Sequence, residues 1–138
     1  MFDTAQDALT FIQGGNATFT VQSRKTGSHL TFNLKRAKGD DPKKPFFVRF
    51  NGAFLGTLWQ DTEGTLISTV VKGRKGAIGA EADTARHALH WVIYWLKEDT
   101  IPEQLTIQHD GSCCRCNRQL THPDSLASGI GPECAKRI

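Results

Sequence analysis

The sequence predicts an α+β domain. An antiparallel meander of five to six strands is packed by one long helix, with a short N-terminal helix before it and a treble-clef-like zinc knuckle after it. Three observations carry this expectation. Between residues 17 and 71 apolar and polar residues alternate with a period of two, in short runs separated by turn residues. Over residues 83–98 the apolar period becomes helical. All four cysteines of the 138-residue chain then fall within its last twenty-six residues.

In chain order, residues 3–13 form the short helix. Asp3 or Thr4 can cap it, Ala5, Ala8, Leu9 and Ile12 line one side, and Gly14-Gly15 ends it. "ATFTVQS" (17–23) puts Phe19 and Val21 on one face and Thr18, Thr20 and Gln22 on the other. "HLTFNLKR" (29–36) alternates in the same way, and the polar link between the two suits a hairpin loop. The charged stretch 38–44 reads as a loop. "PFFVRF" (45–50) is a third strand, followed by Asn51-Gly52, the strongest hairpin signal in the chain because both residues accept positive φ. "AFLGTLWQ" (53–60) and "TLISTVV" (65–71) are read as the fourth and fifth strands, and the glycine-rich, basic stretch 72–82 as a connection. The long helix covers 83–98, capped by Asp83 or Thr84. Its apolar stripe is Ala85, Ala88, Leu89, Val92, Ile93 and Leu96, and Trp91 and Trp95 are expected to widen the stripe into the core. "QLTIQH" (104–109) is one more strand, leading into the cysteines. The domain boundary is drawn there: residues 1–103 as the α+β core, 104–138 as a knuckle appendage continuous with it.

Composition sets limits on function. Three Trp and eight Phe with 38% hydrophobic residues suffice for a core. No apolar run approaches a membrane span, and Met1-Phe2-Asp3-Thr4 lacks the features of a signal peptide, so a cytoplasmic, reducing location is expected. Cysteines clustered in such a compartment point to metal before disulfides. Charge is unevenly spread. Residues 17–79 hold 11 basic and 4 acidic side chains, whereas 80–110 hold 2 basic and 6 acidic. A basic body beside an acidic stretch suits an anionic partner, although a solvated lysine surface is the plainer reading.

Cys113 and Cys116 have the spacing of a zinc knuckle, in which two thiolates face one ion. Cys134 follows Gly131-Pro132-Glu133, and proline favours the first position of a helix, where a thiolate is stabilised. A closed tetrahedral site needs a fourth ligand. His109 is the chosen one, His122 its rival, and Cys114 is left as a spare thiol because ligands at 113 and 114 would strain one tetrahedron. The expected set is therefore His109, Cys113, Cys116 and Cys134 around a structural Zn2+. No Glu stands where the zinc deaminases need a proton shuttle, and no zincin spacing occurs, so catalysis at the metal is not expected.

The run Cys113-Cys114-Arg115-Cys116-Asn117-Arg118-Gln119-Leu120, then Ser125, then Gly129-Ile130-Gly131-Pro132-Glu133-Cys134, resembles a family of small phage- and mycobacterial-type proteins of unknown function. Its C-terminal motif has the form C-G-R-C-G-R-x-L … G-I-G-P-x-C, from which this chain departs at Cys114 and Asn117. The stretch "GNATFTVQSRKTG" is similar to that family's N-terminal signature. The resemblance implies zinc, a mobile-element origin in a bacterial host, and a ligand at His109, since a His before the knuckle recurs in the family.

Three functions are weighed. The first is nucleic-acid binding by a basic wet sheet face bearing Arg24, Lys25, Lys35, Arg36 and Arg49, with Phe47 as the stacking ring and Lys72, Arg74 and Lys75 from the connection. The second is a protein-binding module, such as a phage inhibitor of a host defence complex (anti-CRISPR-like) or a host replication complex, with Trp59, Trp91 and Trp95 as candidate anchors. The third, an enzyme, finds no nucleophile elbow, P-loop or carboxylate pair to rest on. No small-molecule substrate is expected.

Overall fold

Thr4 opens the first helix, α1 (Ala5–Ile12), where its Oγ1 accepts the Asp7 N–H at 3.1 Å and satisfies one of the unpaired donors of the first turn. The computed structural model describes residues 2–37, 44–111 and 114. Ala5, Ala8, Phe11 and Ile12 of α1 are buried. Five strands follow the expected runs closely: β1 (Asn16–Ser23), β2 (His29–Arg36), β3 (Phe46–Phe50), β4 (Ala53–Leu58) and, after the long helix α2 (Ala80–Lys97), β5 (Leu105–His109). All neighbours are antiparallel, in the order β4-β3-β2-β1-β5. β1 to β4 are thus a meander, and β5 joins the far edge of β1 rather than extending the meander. Asn51 and Gly52 turn β3 into β4 with φ of 50° and 82°, the paired positive values of a tight two-residue hairpin.

The expected strand over 65–71 does not form. Its only ladder contacts are isolated bridges, Gln60 to Leu66 and Thr57 to Val71, and the residues between them leave the sheet. Among the described residues the sheet therefore has five strands, the fifth of which is 105–109.

One face of the sheet carries Phe19, Phe32, Leu34, Phe46, Val48, Leu55, Leu58 and Ile107, all fully buried. Burying each such side chain is worth about 1.5–3 kcal/mol. The cover comes from α1 and α2, which pack against each other. α2 begins at Ala80, earlier than the sequence suggested, with Gly79 at its N-cap and no side-chain cap bond. Asp83, the expected cap, instead pairs with Arg86 at 2.8 Å. Arg86 also donates to the carbonyls of Leu55 and Ala77, tying the helix to β4 and to the connection. Ala82, Ala85, Leu89, Val92, Ile93 and Leu96 of α2 are buried.

Trp91 and Trp95 do not join that stripe: they are 42% and 38% exposed. The reason is angular. At about 100° per residue, Trp91 projects roughly 150° from the centre of a stripe built on 82, 85, 89, 92, 93 and 96, and Trp95 roughly 110°. No helix among the described residues is long and apolar enough to cross a membrane.

Candidate nucleic-acid interface

The helices cover only one side of the sheet. The other side is built from the alternate residues: Asn16, Thr18, Thr20 and Gln22 of β1, Thr31, Asn33 and Lys35 of β2, Phe47 and Arg49 of β3, and Gln108 of β5. None of the five strands contains an Asp or a Glu. The strand residues of this face are therefore free of acids, and their formal charge comes from Lys35 and Arg49, both exposed.

β4 adds aromatic surface through an irregularity. A register shift opposite Val48 and Arg49 sets two consecutive residues, Leu55 and Gly56, into the buried side. Phe54 and Thr57, three apart, consequently both lie half-buried on the open side, opposite Arg49 and Phe47. Phe47 and Phe54 meet edge-on with centroids 6.2 Å apart. The Trp59 indole N–H donates to Thr57 Oγ1 at 3.1 Å, which places a 42% exposed ring on the same face. Three aromatic rings and two cations thus share one open surface.

A polar web stiffens the middle of this surface. Thr20 and Thr31 hydroxyls are bonded at 2.8 Å. The Asn33 amide nitrogen reaches Asn16 Oδ1 and Thr18 Oγ1, each at 3.0 Å, and the Ala17 carbonyl at 3.4 Å.

The expected site residues divide into three groups. Lys35, Phe47 and Arg49 stand together on the open face. Arg24 and Lys25 are exposed but belong to the β1–β2 loop, and Arg74 and Lys75 lie exposed past the β4 edge, beyond the Val71 bridge. Arg36 is on the opposite face. It pairs with Phe46 in the ladder, its guanidinium lies 4.7 Å from the Phe46 ring centroid, and it donates to Gln60 Oε1 and the Gln13 carbonyl. Consecutive strand residues point to opposite faces, so Lys35 and Arg36 cannot both serve one surface. Phe54 and Asn33 were missed by sequence reasoning, and Trp59 was considered only as an anchor for a protein partner. The signal for Phe54 was weak, because the irregularity in β4 breaks the parity by which a strand face is read.

The outer side of α2 is a second aromatic surface. Trp91, Tyr94 and Trp95 are all exposed, with neighbouring centroids 5.5–6.3 Å apart. The Trp91 indole donates to His87 Nε2 at 3.0 Å.

Of the expected metal ligands, His109 lies among the described residues. Cys113, Cys116, Cys134 and the rival His122 lie outside them. His109 ends β5 opposite Phe19, with its ring 5.7 Å from Phe2 and 5.5 Å from Phe11 between centroids. Its Nδ1 accepts the Gly111 N–H at 3.0 Å. A neutral imidazole arranged so carries its proton on Nε2, so Nδ1 is the atom whose lone pair could bind an ion, at the expense of that bond. Cys114 packs into the hydrophobic core at 3% exposure, and its carbonyl accepts the Asn16 N–H at 2.6 Å. Gly14 makes room for it: a Cβ there would collide with the Cys114 side chain and carbonyl. Among the described residues, no group of three or more His, Cys, Asp or Glu side chains is arranged to hold a metal.

Residues 104–138 match the model of a family of unknown function (DUF6011), a match that takes in β5 and the whole cysteine segment. No curated protein and no solved structure matches the chain.

Proposed function

We propose that this protein is a non-enzymatic, zinc-binding accessory protein of a phage or mobile element in a bacterial host, and that it binds single-stranded nucleic acid across the open face of its sheet. The observation that carries the reading is the sheet face, free of acidic strand residues, on which Phe47, Phe54 and Trp59 stand beside Lys35 and Arg49. Exposed rings can stack bases of any sequence, and adjacent cations hold the phosphates between them. A duplex, whose bases are already stacked, cannot use such rings, so single strands are the matched ligand. The C-terminal segment, in the same proposal, holds one structural Zn2+ through His109, Cys113, Cys116 and Cys134, and the ion supplies folding energy to a segment too short to build its own core. Fluorescence anisotropy with labelled single-stranded and duplex oligonucleotides at low salt tests the function. Tighter binding to single strands, weakened by Phe47→Ala and Trp59→Ala, is the expected result. Absence of binding to any oligonucleotide would remove the reading.

A second reading has its own support. The Trp91, Tyr94 and Trp95 rings lie beside Glu98 and Asp99 at the end of α2, in a stretch with a net charge of −4 over residues 80–110. That surface suits a cationic segment of a host protein, held by cation–π and carboxylate contacts. It would make the molecule two-sided, with nucleic acid on the sheet and protein on the helix.

A further inference from the structure

A shallow cavity of about 220 Å³ opens on the sheet's exposed face, lined by Thr18, Thr31, Asn33, Arg49, Asn51 and Gly52. It lies beside the stacking rings, because Arg49 is opposite Phe54 in the β3–β4 ladder. Two polar side chains of opposite hydrogen-bonding character meet there as cross-strand partners, Asn33 on β2 and Arg49 on β3.

The Asn33 amide has no rotational choice. Its nitrogen is directed at Asn16 Oδ1, the Ala17 carbonyl and Thr18 Oγ1. The carbonyl oxygen of Ala17 can only accept, so the group facing it must be the NH2. The Asn33 Oδ1 is then turned away from β1, as a pure acceptor at the cavity wall. Arg49 supplies the complement, a planar fork of N–H donors that fits a pair of adjacent acceptors. A ligand that satisfies both must present two neighbouring acceptors followed directly by a donor.

The bases differ on this point. Guanine presents N7 and O6 as adjacent acceptors and then N1–H and N2–H2 as donors. Cytosine presents O2 and N3 as acceptors and then its N4 amino donor. Adenine alternates acceptor, donor, acceptor, and so does thymine or uracil across O4, N3–H and O2. Neither offers the guanidinium two adjacent acceptors. We infer that the Asn33–Arg49 cavity receives one base of the bound strand and selects guanine or cytosine over adenine and thymine. The inference rests on the single-strand reading proposed above. The stacking rings set affinity without regard to sequence, and the cavity adds a preference at one position.

The test uses the 138-residue chain as purified and a dT15 oligomer whose central base is dT, dA, dC or dG, so that no oligomer can form a guanine quadruplex. A bidentate arginine contact discriminates between bases by about 5- to 140-fold, and the dG or dC oligomer should bind more tightly than the dT and dA oligomers by a factor in that range. Arg49→Lys keeps the positive charge but loses the fork. It should reduce that advantage to less than about 2-fold, whatever the overall change in affinity. For a strand that prefers dG, 7-deazaguanine, which lacks the N7 acceptor, should bind like dT. Equal binding to all four oligomers, a preference for dA or dT, or an advantage that survives Arg49→Lys would overturn the inference while leaving single-strand binding intact. Failure to bind any oligomer would remove both.

Discussion

Replacing Lys35 and Arg49 together with glutamate separates the sheet face from every other basic part of the molecule. Both are exposed, both stand on the open face, and neither supports the core. Lys72, Arg74 and Lys75 are exposed past the β4 edge, and if they too contact a strand lying across β3 and β4 the cations number five. Each phosphate contact contributes about −0.7 to the slope of log affinity against log salt for a single strand. Five contacts give a slope of about −3.5, or roughly a 100-fold loss of affinity between 50 and 200 mM salt. Removing two leaves about −2.1, a loss of roughly 20-fold over the same range. Anisotropy titrations at four or five salt concentrations resolve that difference. Thermal stability should hold within about 0.5 kcal/mol, because exposed strand charges contribute little to folding. A double variant whose slope equals that of the wild type would show that the phosphates are gripped elsewhere, and the sheet would cease to be the candidate surface.

Much of the sheet was legible because its central strands alternate. From Ala17 to Gln22 in β1 and from Leu30 to Lys35 in β2 each odd or even position keeps one character, so Phe19, Phe32 and Leu34 could be assigned to the core and Thr18 and Thr20 to solvent from sequence alone. The Asn51-Gly52 turn was legible for the same kind of reason, since few residues accept two successive positive φ values. Residues 65–71 misled because β-branched residues are enriched there, yet the segment meets residues 57–61 only at separate points, the Gln60–Leu66 and Thr57–Val71 bridges and the Ile67 N–H to the Trp59 carbonyl, and forms no continuous ladder. Leu66 is buried because its side chain packs into the core. Strand propensity describes how a residue fits a pleated surface and says nothing about whether a neighbour is present.

The site was half legible, and the half that was lost follows from parity. Treating Lys35 and Arg36 as one basic patch ignored the alternation that had already placed Leu34 inside. Arg36 shares the face of Leu34 and spends its charge over Phe46 at the core margin. In α2 the same arithmetic at 100° per residue turns Trp91 outward, whatever the bulk and apolarity of its ring. Asn33 was beyond reach, since its importance lies in which way its amide is turned, and only the contacts with Asn16, Ala17 and Thr18 decide that.

Arg36→Ala should lower folding stability by about 1–2 kcal/mol in urea unfolding, through loss of the cation–π contact and two hydrogen bonds, and should leave the salt slope of oligonucleotide binding as it is. Trp91→Ala and Trp95→Ala should each cost less than about 1 kcal/mol by the same measurement, whereas Leu89→Ala, at a fully buried position, should cost about 2–5 kcal/mol. Elemental analysis of the purified protein should find one zinc per chain, and His109→Ala should lose it more completely than His122→Ala. Cys114 separates the metal from the core most sharply. Its side chain is buried against Gly14 and its carbonyl holds the Asn16 N–H, so serine in its place sets a hydroxyl among apolar neighbours at a cost of about 1–3 kcal/mol. The zinc content should nevertheless remain at one equivalent, because the expected tetrahedron is filled by His109, Cys113, Cys116 and Cys134. A Cys114→Ser protein that loses its zinc while Cys113→Ser keeps it would show that the ligand register is displaced by one residue, and that the thiol packed under α1 belongs to the metal after all.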